Sequence, residues 1–353
     1  MNKNELIDWL FDNGDAVIRY RTATELTNDK SEYNISSLRT ELMKTPKAHY
    51  WMKCLKDKRR LNYIHGSYDY CFENAMGKLI FMGIKAGFNK LEDSSKSYVK
   101  WLKESIETES EEPIENPIDF FYENLIASFL SASGFKDIEP VSTFVRERIN
   151  MIYNFTKDNN FSIFADKANY KGISNAFDDH PLIDPELYLD GKFKLPWIHD
   201  LLTFSAFYDE FPDKIDQIIS YILNDKYQKF PDGYGIVMAG VKRYTVLGWN
   251  VWLPGFSNFD LNEFQKQNII TRMILMRPFK VARESEWYKN CIQHLEQFKQ
   301  KNGTYLFPKE YLKEKNNSYF ITGYHMGLGE NRKSKNGLAL ESSFWMLKLT
   351  DKQ

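Results

Sequence analysis

Four acids stand near the starts of apolar, helix-like segments: Glu73, Glu123, Asp200 and Glu341. If the ends of those segments gather in space, paired carboxylates there are suited to general acid and base work. The competing account is that acids in a first turn complement the helix dipole. Glu341 fits that account least, because it is the lone charge between Leu338 and Leu347. His199 precedes Asp200 directly. Neighbouring residues on a helix point about 100° apart, so each of the two needs a partner elsewhere. Glu341, His199, Asp200 and Glu123 are therefore the candidate catalytic residues.

A second group is suited to holding a ligand. Trp197, Tyr234, Trp249 and Trp252 can stack on a sugar ring or wall an apolar cavity, or they simply pack helix on helix. Glu73, His325, Glu330 and Arg332 (with Asn331 between the last two) can orient a polar group beside them. Gly327-Leu328-Gly329 invites comparison with a phosphate-binding loop. It matches neither dinucleotide nor Walker spacing, since Arg332 takes the place of the third glycine and no strand precedes it. Asp178-Asp179-His180 and Asp184-Pro185-Glu186 concentrate oxygen and imidazole ligands without a recognised metal spacing, and an Asp/Pro-rich turn explains them as well. No metal or cofactor is identifiable.

The totals narrow the classes. Lys plus Arg is 47 against 48 for Asp plus Glu, a net charge of −1, so no basic excess drives nucleic-acid or anionic-membrane binding. Cys54, Cys71 and Cys291 are too scattered for a disulfide framework or zinc motif. The N-terminus lacks a secretory pattern and no run is long enough to span a bilayer, so a cytoplasmic address is expected. Aromatic residues make up 16% of the chain, enough to wall a cavity as well as fill a core.

The elements that must position these groups are helical. Residues 4–28 read as two short helices broken at Asn13-Gly14, and Thr45-Pro46 opens another, with Tyr50, Trp51, Cys54 and Leu55 as its apolar side. The segment from Phe72 is apolar on nearly every side, as expected of a helix buried all round. Residues 94–107 carry one stripe only. The pair recurs about fifty residues on, where Tyr122-Glu123-Asn124 echoes Phe72-Glu73-Asn74 and residues 140–156 carry the stripe Val141, Phe144, Val145, Ile152. A third inner helix opens at Leu195-Pro196-Trp197, with its outer partner from Pro212. Residues 260–277 and 283–300 make a fourth pair, and Gly337–Leu349 is the last inner helix. Between Lys157 and Lys194 the helical pattern fails, which predicts a long irregular insertion, either a lid or a mobile segment, over 158–194. Recurring hairpins with doubly apolar inner helices predict a single all-α domain over 1–353. It is an α/α toroid of about five to six hairpins, with residues 1–57 completing the ring.

The chain resembles bacterial proteins of the squalene-cyclase/prenyltransferase-repeat type. The resemblance lies in Trp9-Leu10-Phe11 and Asp15–Thr22, in the glycine-x-aromatic turns such as Gly303-Thr304-Tyr305, and in His325–Arg332 with Glu341–Trp345. It implies the toroid and a central cavity for a small apolar or amphipathic molecule. The Asp-x-Asp-Asp acid motif of the cyclases is absent, Asp178-Asp179 being its nearest approach. The Asp-Asp-x-x-Asp/Glu motif and the zinc set of the relatives are absent too. The leading expectation is thus a protein that binds or transforms a small apolar or amphipathic molecule. A non-catalytic scaffold and a carbohydrate-active hydrolase or lyase are the alternatives, and no oligomeric state is implied.

Overall fold

The computed structural model describes residues 1–27, 30–56, 63–107, 117–188, 190–259, 269–330 and 332–351. In chain order its helices are α1 Lys3–Asn13, α2 Ala16–Glu25, α3 Ile35–Met43, α4 Pro46–Lys56, α5 Phe72–Phe81, α6 Asn89–Glu107, α7 Pro117–Leu130, α8 Val141–Thr156, α9 Asp200–Ala206, α10 Pro212–Ile222, α11 Asp225–Gln228, α12 Ile269–Met276, α13 Lys280–Glu284, α14 Glu286–Glu296 and α15 Gly337–Thr350. Strands β1 Phe164–Ala165, β2 Leu182–Ile183, β3 Ile236–Gly240 and β4 Arg243–Val246 form a sheet in the order β1-β2-β3-β4. The molecule is mainly helical, but the all-α expectation needs this correction. Ile236, Val237, Thr245 and Val246 are β-branched residues that favour a pleated surface over a helix. Among the described residues, no helix is long and apolar enough to cross a membrane.

Contacts divide the chain into two compact units, Met1–Ser94 with Pro254–Pro278 and Arg283–Gln353, and Ser95–Leu253 with Phe279–Ala282. In the first unit, all ten residues of α5 are buried, Glu73, Asn74 and Lys78 among them, as expected of a helix apolar on nearly every side. Gly77 lets the Phe320 ring lie against the α5 backbone: a Cβ there would stand 2.5 Å from the ring. Gly77→Ala should therefore cost about 1–3 kcal/mol of overpacking despite alanine's better helix propensity, read as a lowered midpoint in urea unfolding.

Cations meet the C-terminal ends of helices in this unit. Arg21 donates to the Phe81 carbonyl at 2.6 Å and Arg277 to the Asp351 carbonyl at 3.1 Å, while Tyr288 Oη donates to the Leu349 carbonyl at 3.0 Å. These are the groups a helix end leaves unsatisfied. Burial alone would raise the Glu25 carboxyl, but Arg21 and Lys348 beside it hold it well below the usual range. In α4 the buried face is Ala48, Trp51, Met52 and Leu55, whereas Tyr50 is exposed and Cys54 half-buried. The face is thus rotated from the one the sequence suggests, because Tyr50 turns out to hydrogen-bond Asp69 at 2.7 Å.

In the second unit, α7 packs against α8 and α9, and α8 against α10. The α10 stripe of Ile215, Ile218, Ile219 and Ile222 is buried as its spacing predicts. After Leu130, α7 runs into one π-helical turn, Ser131–Phe135, which ends where Gly134 adopts φ 92°. Residues 158–194 are built into this unit: β2 pairs with β1 antiparallel and with β3 in parallel. Of the expected fourth inner helix, residues 269–276 are helical and 260–268 lie outside the described residues, as do Asn116 and Asn331.

Candidate functional site

Helix α8 places Arg148 on its core stripe, one turn from Val145 and Ile152. Both Arg148 and Asp200 are fully buried. Arg148 Nε and Nη2 donate to the Asp200 carboxylate at 3.1 and 2.7 Å, and the remaining donors reach the carbonyls of Leu195, at 2.7 Å, and Phe193. Asp200 also accepts the Trp197 backbone N–H at 2.7 Å. The Arg148–Asp200 fork therefore ties the turn 193–200 to α8. Helix α9 begins at Asp200, one residue later than His199, which moves His199 from the first turn to the cap position.

Trp197 lies between Phe193, stacked at 4.7 Å, and the Arg148 guanidinium, 4.7 Å from its ring centroid. Its ring also meets Phe121 at 5.1 Å and Phe120 at 6.1 Å, on α7. Further along the same seam, Thr203 Oγ1 donates to Ser128 Oγ at 2.8 Å. Chain numbers rise together across these contacts, so α7 and α9 run parallel. The His199 ring sits among Phe121 at 5.6 Å, Phe129 at 6.2 Å and Trp249 at 6.1 Å.

Two donors of the seam stand out. Trp197 Nε1 and Asn124 Nδ2 are buried and have no hydrogen-bond partner among the described residues. Buried polar groups are nearly always paired, with protein or with water, so an unmet donor marks a place where a water or a ligand atom is accommodated. At 100° per residue, Asn124 projects between the directions of Phe120 and Phe121, the two rings against Trp197. It stands one turn further along α7, and helical side chains lean back toward the N-terminus, here toward Trp197.

The wall beside the seam is rigid. Trp249 is half-buried and adopts φ 80°, an outlier for a bulky side chain. It is held there by its carbonyl, which accepts the Ile198 N–H at 2.8 Å. Tyr234 also has positive φ, 62°, and belongs to a relay. Val251 N–H donates to Tyr227 Oη at 3.0 Å, and Tyr234 Oη–H donates to the Pro196 carbonyl at 2.6 Å. The 2.7 Å contact between the two hydroxyls must then run from Tyr227 to Tyr234. Burial raises both phenols well above their ordinary value, so they act as neutral struts.

The other candidates fall as follows. Glu123 accepts Ser105 Oγ of α6 at 2.8 Å, and Trp252 is half-buried. In the first unit, Glu73 meets His65 Nδ1 at 3.0 Å and the Gly66 N–H at 3.3 Å. His325 Nε2–H donates to the Ser318 carbonyl at 2.7 Å, with Trp51 edge-on at 5.3 Å, and burial lowers its pKa. Glu330 accepts the Lys47 N–H at 2.8 Å. The backbone N–H groups of Leu328 and Gly329 donate to Glu341 Oε1 at 2.8 and 2.9 Å, and Arg332 Nε to Oε2 at 2.7 Å. The glycine loop thus closes around an anion, but the anion is the protein's own carboxylate. Burial pushes the Glu341 carboxyl up, against the pull of Arg332 and Gly329. Next to it is Lys78, which reasoning from sequence passed over. Its fully buried ammonium donates to both oxygens of Glu314 at 2.8 Å and to the carbonyls of His325, at 2.8 Å, and Gly327, at 2.5 Å.

Asn124, Arg148 and Lys78 were all findable by one signal, a polar or charged residue at a core position of an apolar helix, which is what singled out Glu341. Among the described residues, no group of three or more His, Cys, Asp and Glu side chains converges as metal ligands would. Comparison with protein-family models, with curated proteins and with solved structures finds no match. Function is therefore argued from this chain's own side chains.

Proposed function

We propose that the second unit is a binding module for a small apolar or amphipathic molecule, held at the seam of α7 and α9. The observation that carries this is the pair of buried, unmet N–H donors, Trp197 Nε1 and Asn124 Nδ2, beside aromatic rings. Ligand sites are mainly apolar surfaces with a few placed polar groups, and this seam has that composition. The strained, backbone-anchored Trp249 adds support, since such strain collects where a ligand is clamped. Binding is favoured over catalysis because Asp200 and Glu123, the candidate catalytic acids of this unit, are engaged by Arg148 and Ser105. The same engagement leaves the carbohydrate-active reading, which needs two carboxyl groups about 5–10 Å apart across a cleft, without support.

The closed α/α toroid and kinship with squalene-cyclase/prenyltransferase-repeat proteins belong to this proposal. What supports the toroid is the contrast between α5, buried on every side, and α10, buried along one stripe.

The test is a titration of the ¹⁵N-labelled protein with ethylbenzene and acetophenone, followed on the tryptophan indole N–H resonances. Saturable shifts are expected for Trp197 and Trp249, with Trp51 and Trp345 unmoved. If no indole resonance moves, or all move in proportion to added solvent, the seam is not a ligand site.

A further inference from the structure

We infer that the molecule held at the α7–α9 seam is uncharged and carries a hydrogen-bond-accepting oxygen, such as a ketone, ester or ether. This rests on the reading of the seam as a ligand site. Both unmet groups are N–H donors, and an indole N–H has no acceptor capacity at all. An apolar occupant would leave two buried donors desolvated and unpaired, whereas a carbonyl or ether oxygen has two lone pairs to take them. Asn124 stands one turn along α7 from Phe120 and Phe121, the rings that meet Trp197, so the oxygen of a molecule at this seam has an N–H donor on each side of it to accept from.

Charge is decided by the neighbour. Arg148 is the cation beside Trp197, and its guanidinium is already engaged by the Asp200 carboxylate and by the carbonyls of Phe193 and Leu195. The pair is neutral as a unit. A ligand carboxylate would therefore be buried near Asp200 beside a guanidinium that is already engaged, which is strongly unfavourable. A ligand cation would meet N–H groups pointing their hydrogens at it, and Arg148 already covers the Trp197 ring.

Acetophenone, ethylbenzene and benzoate share one ring and nearly one shape, and differ in the group that matters. The full chain is titrated with each, affinity being taken from the Trp197 and Trp249 indole shifts. Acetophenone should bind roughly tenfold or more tightly than ethylbenzene, with the Trp197 indole proton moving downfield only with the ketone. Benzoate should bind more weakly than either. In Asn124→Leu, acetophenone should fall toward the affinity of ethylbenzene while ethylbenzene is unaffected. Trp197→Phe, which keeps a ring over Arg148, should do the same, read on Trp249. If ketone and hydrocarbon bind equally to the wild type, the inference is overturned and the seam remains an apolar site whose donors are met by water. If benzoate matches acetophenone, the claim of an uncharged ligand fails. If none of the three binds, the reading of the seam itself falls.

Discussion

Asp200→Asn is expected to destabilise the protein by about 3–5 kcal/mol, because it strands a guanidinium that is fully buried. The substitution is nearly isosteric, and the asparagine oxygen can still accept the Trp197 backbone N–H. What is lost is the negative charge that forks onto Arg148 Nε and Nη2. An ion pair at the surface would lose well under 1 kcal/mol by the same change. This pair is shut off from bulk solvent, and the two backbone carbonyls alone cannot neutralise the charge. Replacing both partners, Arg148→Met with Asp200→Leu, should recover much of the loss, since an apolar pair of similar volume avoids the desolvation of two ions. Equilibrium urea unfolding of the wild type, the two single variants and the double variant measures this. A cost below about 1 kcal/mol for Asp200→Asn would mean that water reaches the pair. Asp200→Asn also bears on the proposed ligand site, because Arg148 and Asp200 hold the turn that carries Trp197.

Lys78→Met should be of comparable size in the first unit, about 3 kcal/mol, since it leaves Glu314 and the carbonyls of His325 and Gly327 facing an apolar group. The loss should fall near the lower end of the buried-pair range because Lys47 Nζ, 3.7 Å from Glu314, continues to offset the carboxylate. Burial would raise the Glu314 carboxyl, but Lys78 and Lys47 together hold it below its ordinary value. The lysine also has a pH signature. Burial depresses its ammonium to about 8 from the ordinary 10.5, in spite of Glu314. Between those two values the unfolded chain binds the proton more fully than the folded chain does. The unfolding free energy contributed by Lys78 therefore rises as pH goes from about 8 to about 10.5, by at most about 1.4 kcal/mol per pH unit, and is flat below 8. The wild-type minus Lys78→Met difference in unfolding free energy, measured by urea titration from pH 7 to 10.5, isolates this from the tyrosines that titrate nearby. A difference that stays level or falls over that window would show that the ammonium is not desolvated as described.

The helices themselves were legible in the sequence. The Asn13-Gly14 break, the Thr45-Pro46 start and the isoleucine stripe of α10 all lie where local pattern placed them, because capping, proline geometry and 3.6-residue periodicity act within a few residues. The burial of α5 was legible too, since apolar residues stand on nearly every side of it, although the sequence did not show that Lys78 would be buried with them. The small sheet was not. Strands β1 and β2 are two residues each and exist only through partners outside their own segment, Phe164 with Ile183 and Leu182 with Ile236, so no local period announces them.

The functional groups divide on the same line. Residue type alone marked Trp197, His199, Trp249 and Glu341 as able to bind or react, and the apolar surroundings of Glu341 marked it as buried. Which hydrogen bonds each makes was decided in three dimensions. Glu341 occupies its own glycine loop, Asp200 belongs to Arg148 and Glu123 to Ser105, while Trp197 and Asn124, the latter never singled out, keep an N–H donor unmet among the described residues. The physical reason is that hydrogen bonds are short and directional. Periodicity says which face of a helix is buried, but whether a buried donor finds an acceptor depends on the neighbouring helix being within about 3 Å at the right height.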